Sequence, residues 1–141
     1  GSAKASALLG EGAFAEAKVE QFVAMASSSI LPAVKTIEDT VFGTTKNPAA
    51  HAAAVKSLKE VCKVLNTELQ GKAWITGDAI TFADVYVFVT LVNGFQLALD
   101  GGFRKAMPTL AAWFEKVARL PVVVKSVGYV KPCQKALPPA K

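Results

Sequence analysis

The sequence predicts an all-α protein, a helical bundle built around one apolar helix, and three observations carry that prediction. Apolar residues recur at three- and four-residue spacing along several segments, the one-face pattern of amphipathic helices. Prolines and glycines fall where such segments should begin and end: Asn47-Pro48 and Met107-Pro108 ahead of two of them, Gly43, Gly71 and Gly128 behind three. No two segments read convincingly as paired strands, and helices joined by short links make a bundle.

The organising stretch is residues 74–92, W-I-T-G-D-A-I-T-F-A-D-V-Y-V-F-V-T-L-V. Thr81 stands three residues before Asp84, so its hydroxyl can accept from the Asp84 N–H while the carboxylate accepts from the Thr81 N–H. Ile80 and Val85 are placed to form a hydrophobic staple across that cap. Asp84 also lies in the first turn, where negative charge suits the helix dipole. Residues 85–90 are β-branched or aromatic and would favour a strand by propensity. The cap decides for helix, because it offers specific bonds where propensity is a weak prior. The run to Leu99 approaches the roughly 20 apolar residues of a membrane span. Asp84, Asn93 and Gln96 within it argue instead for a helix buried at the centre of the protein.

The other elements follow in order. Gly1-Ser2 reads as a cleavage scar, and residues 1–12 as scar and linker. From Ala13, Val19, Phe22, Val23 and Ala26 recur at helical spacing; Pro32 should kink or break that helix, because it removes one hydrogen bond and crowds the carbonyl four residues back. The pattern resumes through Val34, Ile37 and Val41. After Asn47-Pro48 a helix carries Val55, Leu58, Cys62, Leu65 and Leu69 on one face and Lys56, Lys59, Glu60 and Lys63 on another. The apolar central helix fades near Asp100-Gly101-Gly102. Met107-Pro108 opens a helix with Leu110, Trp113, Phe114 and Val117 inward. Residues 122–127 are open to either helix or strand, and 131–141 read as an irregular basic tail.

A chain of 141 residues makes one domain with a substantial core. Two cysteines with no shared motif and one histidine are too few for a disulfide framework or a zinc site, so a reducing, cytoplasmic setting is expected. From Gly101 onward six Lys and two Arg face only Glu115, a net +7 within an overall +5. That asymmetry suits an acidic protein or a weak tRNA or RNA contact. A solvated, solubilising face is the simpler reading, since no aromatic-plus-basic reading motif accompanies the charge.

Chemistry is sparse. His51 sits near the start of an Ala-rich helical turn with no neighbouring Cys or carboxylate, and reads as a surface residue. Trp74, Tyr86 and Trp113 read as core packing. Asp84 reads as a cap rather than a catalytic acid. No phosphate loop, G-x-S-x-G or paired acid/base motif is present. No catalytic, metal-binding or cofactor-binding residue is therefore expected, and no cofactor.

Residues 74–84, an aromatic, a Gly, a Thr and an Ala-Asp ahead of a central helix, resemble the C-terminal domain of the glutathione S-transferase family. The amphipathic helix ending at Leu65 to Leu69 and the M-P-T-L-x-x-W-F helix fit the same domain, over roughly residues 13–133. Phe103-Arg104-Lys105-Ala106-Met107-Pro108, Trp113-Phe114, Pro121 and the ending Tyr129-Val130-Lys131-Pro132-Cys133-Gln134-Lys135-Ala136 resemble more finely the gamma-type subunits of translation elongation factor 1. Lys131-Pro132 before the cysteine departs from that pattern. The transferase-like domains of aminoacyl-tRNA synthetases and their scaffold proteins share the capped helix. The resemblance implies a helical domain over 13–130 without the thioredoxin-like half that holds and activates glutathione. It further implies a non-catalytic scaffold, with translation-factor subunits or synthetases as partners in a homo- or hetero-dimer and no membrane. An enzyme, the helical half of a glutathione transferase, is the alternative of another class. The basic residues Arg104, Lys105, Lys116 and Arg119 are the candidate partner surface.

Overall fold

The computed structural model describes residues 8–141, so most of the segment read as scar and linker lies outside the described residues. The described elements are α1 (Ala13–Met25), a π turn (Ala26–Ile30), α2 (Leu31–Val41), α3 (Pro48–Leu69), α4 (Phe82–Leu97), α5 (Gly101–Ala106), α6 (Pro108–Ala118) and α7 (Pro121–Val127). Among these residues there is no strand, only an isolated bridge that closes the 74–77 turn.

Pro32 does not break the first helix, and the helix adjusts beside it instead. The chain stays helical from Ala13 to Val41 because a π turn lies just upstream of the proline, where the Leu31 N–H donates to Ala26 O five residues back. The added residue widens the turn where the proline ring and its missing donor would otherwise clash. Pro32 itself then occupies the first turn of α2, where no donor is needed.

Helix α4 is contacted by α1, the π turn, α2 and α6, and α3 packs against α2 and α6. Gly94 lets α4 come close to α3 and α2: a methyl group there would stand 3.0 Å from Leu58 Cδ2 and 3.4 Å from Val34 Cγ2. On the other side Phe114 of α6 stacks on Phe95 at 3.8 Å between ring centres and meets Phe88 at 4.6 Å. One core holds all of these. The sequence reading of α4 as buried throughout needs correcting, because Phe82 is 43% and Val89 52% exposed. The neighbours wrap most of the helix but leave that edge open.

Three further features have local causes. Asp100 starts a helix as well as ending one: its carboxylate accepts from the Phe103 N–H at 2.9 Å and caps α5. Residues Pro121–Val127 are helical, with proline in the first turn and Gly128 at φ 83° after the last. His51, expected at the surface, is only 8% exposed, because the end of α2 brings Thr40 Oγ1 to 2.7 Å from its Nδ1.

The segment after α7 has no regular structure, yet it is tied down along the ends of two helices. Cys133 N–H donates to Phe95 O at 2.9 Å and Leu137 N–H to Leu97 O at 2.8 Å, while Ala140 N–H donates to Thr40 O at 2.8 Å. These acceptors are carbonyls near the C-terminal ends of α4 and α2, which have few or no partners within their own helices.

Candidate partner-binding surface

Asp84 organises the start of α4 and the ground beneath the surface. It is fully buried, with Oδ2 accepting from the Thr81 N–H at 2.9 Å in a capping box. Oδ1 accepts from the Ile75 N–H and from Trp113 Nε1, both at 2.9 Å. One carboxylate thus joins the 74–81 loop, the first turn of α4 and the middle of α6, a charge-assisted arrangement stronger than neutral bonds. Ile80 and Val85 flank this cap, both half-buried. Lys116 fixes the loop from outside, lying 4.0 Å from the centre of the Trp74 ring and donating to the Ala73 carbonyl.

The four candidate surface cations do not form one patch. Arg104 is half-buried, and its Nη1 donates to Leu99 O at 2.7 Å and to Cys133 O at 2.5 Å, holding the C-terminal segment against the end of α4. Lys105 is exposed. Arg119 pairs with Glu115 one turn earlier on α6. Lys116 lies in the separate hollow of about 180 Å³ beside Trp113.

Arg104 and Arg119 share a groove of about 410 Å³ with Phe114, Glu115, Tyr129 and Pro132. Tyr129, 84% exposed at the rim, and Glu115 were not singled out in the sequence. Tyr129 had entered only as the first residue of the closing stretch that carries the resemblance, not as a site residue. Burial pushes the Cys133 thiol up, with the Arg104 guanidinium opposing it. Two guanidinium groups, one carboxylate and an exposed ring thus line the groove together. Among the described residues no group of three His, Cys, Asp or Glu is placed to hold a metal ion, and no helix is long and apolar enough to cross a membrane.

Comparison with known proteins places this geometry. The profile of the glutathione S-transferase C-terminal domain matches residues 19–121. The chain is 31% identical to elongation factor 1-gamma of Rattus norvegicus over 122 residues, covering 86% of this chain and 28% of that protein. It is also 31% identical to elongation factor 1-gamma of Artemia salina over 130 residues, 92% of this chain and 30% of that one. The chain therefore spans less than a third of the length of these relatives.

Among solved structures it superposes on the GST-like domain of elongation factor 1-gamma from Saccharomyces cerevisiae with a TM-score of 0.83 at 17% identity. That match covers 90% of this chain and 58% of the other. A glutathione transferase from Burkholderia graminis, solved with two glutathione molecules bound per subunit, gives a TM-score of 0.77 at 20% identity over 88% of this chain and 54% of that one. The two structures speak for the fold and the two sequences for the finer likeness to elongation factor 1-gamma. With the family profile spanning helices α1 to α6, the chain belongs to the glutathione S-transferase C-terminal domain family.

Proposed function

We propose that this chain is a non-catalytic protein–protein interaction module of the translation elongation factor 1 complex. In this reading it is the helical half of a gamma-like subunit, acting in the cytoplasm and holding other translation-factor subunits. The observation that carries it is the 31% identity to elongation factor 1-gamma along 86% of the chain. In support, Asp84, the one fully buried carboxylate among the described residues, uses its oxygens on three internal donors. Two of the four candidate cations, Arg104 and Lys116, hold backbone carbonyls in place.

The partner surface in this reading is the groove between α6 and the C-terminal segment, with Arg119 as its accessible cation and Lys105, exposed on α5 next to Arg104 in the chain, outside its lining. Reversing both charges, Lys105→Glu with Arg119→Glu, should slow association with an acidic partner and flatten its salt dependence. An on-rate equal to that of the parent chain would remove this surface from the account. Affinity capture with the captured chains identified decides membership: elongation factor subunits support the proposal, and aminoacyl-tRNA synthetases would move the module to that complex.

The glutathione-bound neighbour favours one second reading, a fragment that takes part in glutathione conjugation. Retention on immobilised glutathione together with turnover of a generic electrophile would establish it in place of the first.

A further inference from the structure

A hollow of about 450 Å³ lies along α3 and shares no lining residue with the Arg104 groove. It is lined by Val55, Lys56, Lys59, Lys63, Ala136 of the C-terminal segment, and His51. Its two kinds of polar group want different things. The three lysines follow one stripe of α3 and form no ion pair among the described residues, where the pairs are Lys35–Asp39, Lys72–Glu68 and Arg119–Glu115. Lys59 is also held over the Phe103 ring at 5.6 Å. Glu60 stands at the edge of the same hollow as its one carboxylate. Three lysines against one carboxylate along the wall of a small hollow suit a phosphate group.

His51 asks for something else. It is 8% exposed, and its Nδ1 lies 2.7 Å from Thr40 Oγ1. The Thr40 hydroxyl donates its single proton to the backbone, 2.8 Å from Thr36 O and 3.1 Å from Ile37 O. With the hydroxyl proton on a backbone carbonyl, the assigned tautomer has Nδ1–H donating to Thr40 and leaves Nε2 of the neutral ring as an acceptor. Nε2 has no protein partner among the described residues, and no buried side-chain nitrogen is left unsatisfied, so Nε2 is open to solvent on a residue that lines the hollow. An acceptor nitrogen matches a hydroxyl donor.

We infer that this hollow is a ribonucleotide subsite: Lys56, Lys59 and Lys63 take a backbone phosphate, and His51 Nε2 accepts a hydrogen bond from the ribose 2′-hydroxyl. A phosphate and a hydroxyl donor on one small ligand are what the two halves of the hollow require, and the 2′-hydroxyl is the group by which a protein tells RNA from DNA. Val55 and Ala136 supply an apolar side for the sugar. The inference stands independently of the proposed module, because it uses none of the groove residues.

The test exploits His51 being the only histidine of the chain. Imidazole nitrogen and carbon-bound proton resonances are followed while the intact protein is titrated with a short single-stranded RNA, the same sequence as DNA, and heparin. Saturable movement of the His51 signals is expected with RNA, with DNA bound about fivefold more weakly and its ring signals unmoved. The double variant Lys56→Gln, Lys63→Gln, changed only at exposed positions, should lose about tenfold in RNA affinity with its fold intact by circular dichroism. Equal response to RNA, DNA and heparin, RNA binding that leaves the His51 ring unmoved, or no binding of RNA at all would each overturn the assignment.

Discussion

Replacing Asp84 by asparagine would keep its shape but turn one acceptor oxygen into a donor facing donors already in place. The three buried donors now served by the carboxylate cannot all be satisfied by an amide. A loss of about 3 kcal/mol is expected in a denaturant titration, with the Trp113 fluorescence shifted in the folded state. Thr81→Ala removes only the hydroxyl arm of the cap and should cost about 1 kcal/mol in the same measurement. Cys62 gives the pH test. Burial of its thiol, fully enclosed on α3, pushes its pKa up to about 12 from the ordinary 9.0. The folded state thus holds a proton that the unfolded chain releases, so stability is full below about pH 9 and falls as pH rises toward 12. The slope contributed by this group is about −1.4 kcal/mol per pH unit. Cys62→Ala should lower stability at neutral pH by leaving a small cavity, yet flatten the alkaline decline; an unchanged alkaline slope in that variant would refute the burial argument.

Among the elements, the C-terminal segment depends most on a single side chain. Arg104 bridges the Leu99 and Cys133 carbonyls, so Arg104→Met should free the segment while leaving the helical core folded. Hydrogen exchange at the amides of Cys133, Leu137 and Ala140 should then rise by about tenfold or more, with α4 amides unchanged. Equal protection in the variant would show that the three backbone bonds suffice alone. The start of α4 was readable because Thr-x-x-Asp before an apolar run is a local signal, complete within four residues. So were the proline-led starts of α3 and α6. The π turn was not readable, since a proline says that a helix must adjust but not that one extra residue will absorb it. Nor were the burial of His51 and the docking of the last residues, which depend on Thr40 and on carbonyls far away in the chain. Arg104 looked like a free surface charge for the same reason: its acceptors lie five and twenty-nine residues away.

At the scale of the molecule, a bundle with Asp84 locked at its centre carries its distinctive chemistry on the outside. One groove joins two arginines to an exposed tyrosine, and one hollow joins three lysines to a histidine edge. The charge that the sequence concentrates after Gly101 is divided by the fold: part of it straps the chain together and part remains at the surface. The central claim, an interaction module of the elongation factor 1 complex, is tested most directly by mixing the purified chain with purified elongation factor 1 subunits and weighing the products by size-exclusion chromatography with light scattering. The account predicts a stoichiometric complex that weakens with salt and with charge reversal at Lys105 and Arg119. It is contradicted if the chain elutes alone at every subunit concentration while the same preparation is retained by glutathione and turns over an electrophile.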